Sequence, residues 1–452
     1  MPSVRKLKLP GPRGKAILTR DERFMSPSYT RCYPLVVDHA SGMRVWDVDG
    51  NEFLDFTAGV AVCSTGHSHP EIVAAITEQA RKFIHMAGTD FYYAPQADLA
   101  AKLAQITPIS GPKRVFFTNS GTEAVEAAFK LARWYKKRPR MLAFLGGFHG
   151  RTMGALSLSA SKPIQRSGFA PLVPEVTHVP YPNPYRPPCG TARTTGTECV
   201  RFIEDVIFHK SVPPEEVAAC FVEPIQGEGG YIVPPDDFWP ALKRMLDRHG
   251  ILLVVDEIQS GLGRTGKMFA IEHTGVEPDI VCMAKGIASG MPMGAMVARE
   301  SLHTWKAGAH ANTFGGNPIA CAAALKTISL IEGGLMQNAA KVGAYLRNRL
   351  HQFALQFDIV GDVRGRGLMI GMEIVKNHET REPFPQARDA IVDSAFYHGL
   401  LIIGCGESTI RFCPPLMCTT KDVDLALPIL ADAIRHAAKK RWSSPKVSRA
   451  RI

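Results

Sequence analysis

Two side chains set the chemical question. Asp256 closes an apolar run over 251–255, and Lys285, 29 residues further on, follows a second run over 280–283. Short apolar runs bounded by charge or by Gly and Pro read as buried strands. Open α/β sheets hold their ligands at the ends of such strands. A lysine amine can form a Schiff base with an aldehyde, and a carboxylate can hold the nitrogen of a pyridine ring protonated. A pyridoxal phosphate site needs that pair. A surface Lys and a surface Asp flanking two ordinary strands is the plain alternative, and on these two residues both readings stand.

The neighbouring stretches predict how such groups would be positioned. A strand over 114–117 runs into Thr118-Asn119-Ser120-Gly121-Thr122 and then a helix to about 138, with an apolar stripe at Val125, Ala128, Phe129 and Ala132. Free N–H groups, two hydroxyls and the positive end of the helix dipole suit a phosphate. A plain Ser/Thr helix cap is the other reading. A strand over 141–145 ends in Gly146-Gly147-Phe148-His149-Gly150-Arg151. There an aromatic ring could lie flat on a planar ligand, and an arginine could fork onto a carboxylate. A helix over about 198–208 and a strand over 218–222 lead to Glu223 and on to Glu228. Strands alternating with helices through 114–297 predict a mostly parallel sheet with helices on both faces. Upstream, 45–53 alternates around an Asp-Gly turn and predicts a hairpin. His67 and His69 precede a helix over 71–83; with no third ligand near in sequence, a loop role is expected rather than a metal. From about 335 a smaller α+β domain is expected, with strands beginning near 365 and 410.

The net charge of +11 lies at the ends. Residues 1–20 and 439–452 carry twelve Lys and Arg and no acid, so the body between them is close to neutral. Both ends are expected to be solvated tails, and prolines at 2, 10 and 12 with Gly11 argue against an amphipathic helix in the first. No apolar run of about 18 residues is expected to span a membrane. Ten scattered cysteines with no C-x-x-C pair suit a reduced, cytoplasmic protein.

Taken together, NSGTEAVE at 119–126, FHGRT at 148–152, EPIQGEGG at 223–230, VVDEIQSGLGRTG at 254–266 and AKG at 284–286 resemble the class III pyridoxal-phosphate aminotransferases, the group of 4-aminobutyrate, ornithine and acetylornithine aminotransferases. The likeness runs from about 20 to 435. It implies an α/β, fold-type I transferase: a large domain with a mostly parallel central sheet, and a smaller α+β domain formed by the N- and C-terminal parts. The expected organisation is a basic tail 1–20, a segment 21–65 packing with the small domain, a cofactor-binding domain 66–334, a small domain 335–438 and a tail 439–452. The resemblance further implies that Ser120, Gly121 and Thr122 cradle the phosphate of pyridoxal 5'-phosphate, with Thr313 reaching it from the partner of a homodimer or dimer of dimers. Phe148 is similar to the ring stacked on the cofactor, Asp256 to the partner of its ring nitrogen and Gln259 to a neighbour of its phenolic oxygen. Lys285 resembles the Schiff-base lysine. His149, Glu223 and Ile258 belong to the same cofactor set. Asp256 and Lys285 are the expected catalytic pair, and no metal is expected.

Substrate roles follow in the same way. Arg411 is similar to the arginine that binds the α-carboxylate of glutamate, Glu228 to the glutamate that pairs with it when no such carboxylate is present, and Arg151 to the arginine that holds a distal carboxylate. Val60 joins them in the substrate set. The implied reaction moves an amino group from an ω-amino donor to 2-oxoglutarate. Gly-Glu-Gly-Gly at 227–230 favours 4-aminobutyrate over ornithine, acetylornithine or lysine. The opening of the chain resembles a prokaryotic, notably archaeal, branch that includes amino-acid racemases, which often carry Asp where this chain has Glu228. Racemisation is therefore the alternative, and nucleic-acid binding through the basic tails a distant one.

Overall fold

The computed structural model describes residues 6–188, 195–440 and 442. Three strands, β1 (Val37–Ser41), β2 (Arg44–Asp47) and β3 (Glu52–Asp55), form an antiparallel meander, with the expected hairpin between β2 and β3. Seven more strands build the central sheet: β4 (Lys113–Thr118), β5 (Arg140–Phe144), β6 (Val176–Val179), β7 (Val217–Val222), β8 (Leu252–Asp256), β9 (Ile280–Met283) and β10 (Gly294–Arg299), in the order β4-β10-β9-β8-β7-β5-β6. Strands β6, β5, β7, β8 and β9 pair in parallel, whereas β10 is antiparallel to both neighbours. The sheet is mostly parallel, as expected.

The central strands are apolar throughout because helices cover both faces. Side chains alternate by strand geometry. Val254, Ile280 and Cys282 pack with Val125, Ala128 and Ala132 of the helix Gly121–Lys136. Leu253, Val255 and Val281 face the other way, onto Leu242 and Met245 of the helix Phe238–His249. A third sheet of β11 (Val360–Arg366), β12 (Met369–Ile374), β14 (Ile403–Cys405) and β15 (Thr409–Phe412) follows, while β13 (Leu400–Leu401) crosses back to pair in parallel with β3.

One expectation needs correction. The stretch 1–20 is not a tail throughout: Pro12–Phe24 is a helix. Pro12 occupies its first turn, where a missing N–H is harmless. The side chain of Asp49 accepts the N–H groups of Arg13 and Gly14 at 2.9 and 2.8 Å. Leu7 also donates its N–H to the carbonyl of Tyr397. The expected boundary at 335 lies beside a kink in a helical run, Pro318–Gln356, where Gly334 has φ 141°. That run, with mean hydropathy 1.5 over its most apolar window, has the length and composition of a membrane span. Its residues Cys321, Ala324 and Ile328 are fully buried against the core, so it reads as a core helix. Beyond Lys439, only Lys440 and Trp442 are described; the rest of the C-terminal stretch lies outside the described residues.

After β3 the chain makes an unusual turn. Ala58, Gly59, Val60 and Ala61 all have positive φ, 48°, 62°, 67° and 61°. Such a left-handed turn costs roughly 1–2 kcal/mol for each non-glycine residue, and β-branched Val60 is the least suited to it.

The third sheet packs on its own helix, Met336–Gln356, by close backbone contact. A Cβ on Gly343 would lie 2.0 Å from the carbonyl oxygen of Gly367. Replacing Gly343 with Ala should lower stability by about 1–3 kcal/mol, read as a lower midpoint in denaturant unfolding; an unchanged midpoint would show that this seam gives way freely.

Candidate active site

The C-terminal ends of β4, β5, β7, β8 and β9 point the same way and close around a cavity of about 480 Å³. Asp256, the last residue of β8, is 3% exposed. Its Oδ2 lies 2.8 Å from Nδ1 of His149, and its Oδ1 accepts the N–H of Ile258 at 3.0 Å. Burial opposes a charge on His149, but its hydrogen bond and attraction to Asp256 prevail and raise its pKa. The second ring nitrogen, Nε2, has no partner among the described residues. Beneath this pair Glu223 accepts the N–H groups of Phe148 and Gly227 at 2.9 and 2.8 Å, and burial raises its pKa.

Lys285 leaves β9 with φ 45°, a left-handed backbone that turns its side chain into the cavity. Burial lowers the pKa of its amine; the charge of Glu228 opposes that shift and the charge of Arg411 adds to it. A lysine used as a nucleophile or base needs this bias toward the neutral amine.

At the end of β4, Ser120 caps the helix Gly121–Lys136, its hydroxyl accepting the N–H of Glu123 at 3.5 Å. Two glycines make room at that helix start. A Cβ on Gly121 would come within 2.8 Å of Ile258, and one on Gly150, where φ is 134°, within 2.2 Å of Oγ1 of Thr122. The wall therefore offers a helix N-terminus free of side-chain bulk, a good seat for a phosphate.

Of the expected cofactor residues, Ser120, Gly121, Thr122, Phe148, His149, Glu223, Asp256, Ile258, Gln259 and Lys285 all line the cavity, as does Arg151. Thr313 and Val60 do not; Val62 lines the cavity instead, and Thr313 is exposed. Arg411 and Glu228 form an ion pair just beyond the lining, close enough for both charges to act on Lys285. Burial disfavours ionising Glu228, but Arg411 outweighs it and its pKa is lowered; attraction to Glu228 likewise overcomes burial and raises the pKa of Arg411. Sequence reasoning missed Tyr231, whose hydroxyl donates to Oε1 of Gln259 at 2.8 Å, and the loop from Gly290 to Met293 that forms one wall. The Gly-Met-Pro-Met run after Lys285 was the available signal for that loop. His67 and His69 have the loop roles expected of them: His67 pairs with Asp55 at 2.8 Å, and His69 accepts the N–H of Glu71 at the start of the helix Pro70–Lys82.

A buried acid for a ring nitrogen, an amine biased toward neutrality and an uncluttered helix N-terminus on one cavity fit pyridoxal phosphate. The comparisons agree. A family model for class-III aminotransferases matches residues 24–434. The chain is 40% identical over 438 residues to the alanine/serine racemase of Pyrococcus horikoshii, covering 95% of this chain and 92% of the relative. It is 41% identical over 416 residues to the acetylornithine aminotransferase of Methanopyrus kandleri, covering 92% and 97%. The crystal structure of an amine transaminase from an uncultivated Pseudomonas species, in its PLP-bound form, is similar with a TM-score of 0.85 at 33% identity, covering 92% of this chain and 98% of that one. The chain belongs to the class-III aminotransferases, fold-type I transferases that depend on pyridoxal phosphate.

Replacing Gly150 with Ala would strain the backbone and push Thr122 off the helix start. Cofactor retention should fall at least roughly tenfold, about 1.4 kcal/mol, in an absorbance titration of the stripped protein with pyridoxal phosphate, with the far-ultraviolet circular dichroism unchanged.

Proposed function

We propose that the chain transfers an amino group from an ω-amino donor to 2-oxoglutarate, yielding glutamate and an aldehyde or oxo acid. 4-Aminobutyrate is the favoured donor, ahead of ornithine, acetylornithine and lysine. The buried pair of Arg411 and Glu228 carries this reading. A pocket that takes two unlike substrates in turn needs a cation for the α-carboxylate of one and cover for that cation with the other. An uncompensated guanidinium in a buried site is strongly unfavourable and would repel an incoming amine. Glu228 supplies the cover when the donor lacks an α-carboxylate, and yields Arg411 when 2-oxoglutarate or glutamate arrives. Arg151, exposed at the cavity mouth, holds the distal carboxylate.

When bound, pyridoxal phosphate supplies an aldehyde carbon that condenses with amines and a cationic ring that draws electrons from the adjacent C–H bond. Ser120, Gly121 and Thr122 seat its phosphate, Phe148 covers its ring, and Gln259, held by Tyr231, faces the phenolic oxygen. Asp256, with His149 behind it, holds the proton on the ring nitrogen. Lys285, as a free amine, takes the proton from the donor carbon and returns it one position away. Thr313 completes the phosphate seat of a second copy. Exposed Phe91, Tyr92 and Phe314 support a homodimer, because they leave an apolar surface beside that residue. The division into a central cofactor domain and a small domain drawn from both ends of the chain belongs to the same proposal, supported by the pairing of β13 with β3.

A second reading has one specific observation in its favour, the likeness to the racemase. It assigns the same lysine and cofactor to proton removal and return at one α-carbon, with no oxo acid consumed.

A donor panel with 2-oxoglutarate separates the two. Glutamate formation dependent on 2-oxoglutarate, fastest with an ω-amine, is expected; rapid inversion of α-amino acids without any oxo acid would replace this proposal with the second reading. Lys285→Ala should lose at least about 10²–10⁴-fold in turnover while the fold persists. Glu228→Gln should lower kcat/KM for the ω-amine at least roughly tenfold, about 1.4 kcal/mol, and leave glutamate within about twofold. Equal losses for both substrates would show that Glu228 does not discriminate between them.

A further inference from the structure

We propose that Asp55 and His67 are positioning residues for amino transfer: they hold the left-handed turn 58–61 in shape, and through it the backbone beside Lys285. Neither residue lines the cavity; both act through the turn. The inference rests on the cavity being the site of that reaction.

The turn is closed by N–H groups of Ala61, donated to the carbonyl of Thr57, and of Val62 and Cys63, donated to that of Ala58, but three of its four residues have side chains that disfavour positive φ. It is held at its entrance. Oδ1 of Asp55 accepts the N–H and the hydroxyl of Thr57, both at 2.7 Å, and the N–H of Ala58 at 3.2 Å. Oδ2 is 2.8 Å from Nε2 of His67. Asp55 is 1% exposed, so its carboxylate depends on that partner for compensation. His67 is itself anchored by paired backbone hydrogen bonds with Gly42, both 2.9 Å. Its hydrogen bond to Asp55, and then one to Cys63, raise its pKa to about 10.

The far side of the turn meets the active site. Val62, one residue beyond it, lines the cavity. A Cβ on Gly286, the residue after Lys285, would come 2.4 Å from Oγ of Ser64 and 3.7 Å from the carbonyl oxygen of Ala61. Thr65 donates to Ser289 at 3.0 Å. Relaxation of the turn toward ordinary φ would therefore shift the segment that aims Lys285.

The test compares the holoenzyme with His67→Ala, Val60→Gly and the double variant. Glycine accepts positive φ freely, so in the Val60→Gly background the turn has less strain to be held against. The thermal loss caused by His67→Ala should be at least half as large again there, because little release of strain then offsets the lost contact. In the native background His67→Ala should lower kcat about tenfold with the KM for 2-oxoglutarate within twofold, and His67→Gln, which keeps a donor, should recover kcat to within threefold. Equal thermal losses in the two backgrounds, or an unchanged kcat in His67→Ala, would overturn the proposal. If His67→Ala does not fold, Asp55→Asn takes its place in the same comparison with the same expected non-additivity. The thermal arm needs no substrate: a protein that turned over no donor would refute the proposed reaction and still judge the clamp.

Discussion

A carboxylate at the end of a buried strand must be compensated, and how Asp256 meets that requirement shapes the rest of the site. One oxygen lies against His149 and the other takes the N–H of Ile258. His149 can serve only because the β5 loop brings it beneath β8, with its N–H donated to the hydroxyl of Ser159 at 2.8 Å. Glu223 sits close enough to oppose a second negative charge, which adds to the effect of its own burial. Its two N–H contacts then tie the β5 loop, at Phe148, to the β7 loop, at Gly227. Three strand ends are thus locked together by the needs of one anion, and the ring-facing wall of the cavity is rigid before any ligand arrives. Preorganised charge of this kind is worth more in a site that excludes water than it would be in solution.

The substrate end is coupled to the same core by a different device. Arg264, in the loop after β8, is 1% exposed and has no carboxylate partner among the described residues; it donates to the carbonyls of Leu368 and Pro414. Those carbonyls flank β12 and β15, and β15 carries Arg411. The Arg411 guanidinium is therefore referenced to the loop that follows Asp256, although it belongs to a separate sheet. The turn at Gly367, where a Cβ would lie 2.6 Å from the carbonyl oxygen of Arg264, works to the same end, leaving little freedom for that sheet to slide.

How much of this was legible in the chain depends on where each signal is written. Asp256 and Lys285 could be read because fully buried parallel strands are unbroken apolar runs, and the first polar residue after each run marks the strand end. Ser120 and Gly121 could be read because a helix start has its own local chemistry. The helix at Pro12 was misread because Pro and Gly were taken as breakers, whereas the capping groups come from Asp49, distant in sequence. The antiparallel β10 has the same apolar composition as its neighbours, so its direction follows only from packing. The turn 58–61 was invisible for the same reason: Ala-Gly-Val-Ala states no preference for positive φ, and what imposes it, Asp55 with His67, acts through tertiary contact. Val60 and Thr313 matched a family pattern yet do not line the cavity of a single chain, since a pattern of residue types does not say which copy completes a wall.

The remaining question is why the site keeps a buried ion pair at Arg411 and Glu228 where an apolar pair would pack at least as stably. Buried ion pairs often contribute little net stability, because desolvation offsets attraction. Their distinctive property is that the partners can separate when a better one appears. In the proposed reaction the carboxylate of a substrate would present two oxygens to a guanidinium that has one buried N–H group, Nε, without a partner among the described residues, and Glu228, its side chain 16% exposed, could exchange that contact for water. An apolar pair could accept an ω-amine but would offer nothing to an α-carboxylate, and an uncovered arginine would do the reverse. The lowered pKa of the Lys285 amine bears on the same point: its bias is set by burial and tuned in opposite senses by these two charges, so in the proposed reaction exchange of one partner would be felt at the lysine amine.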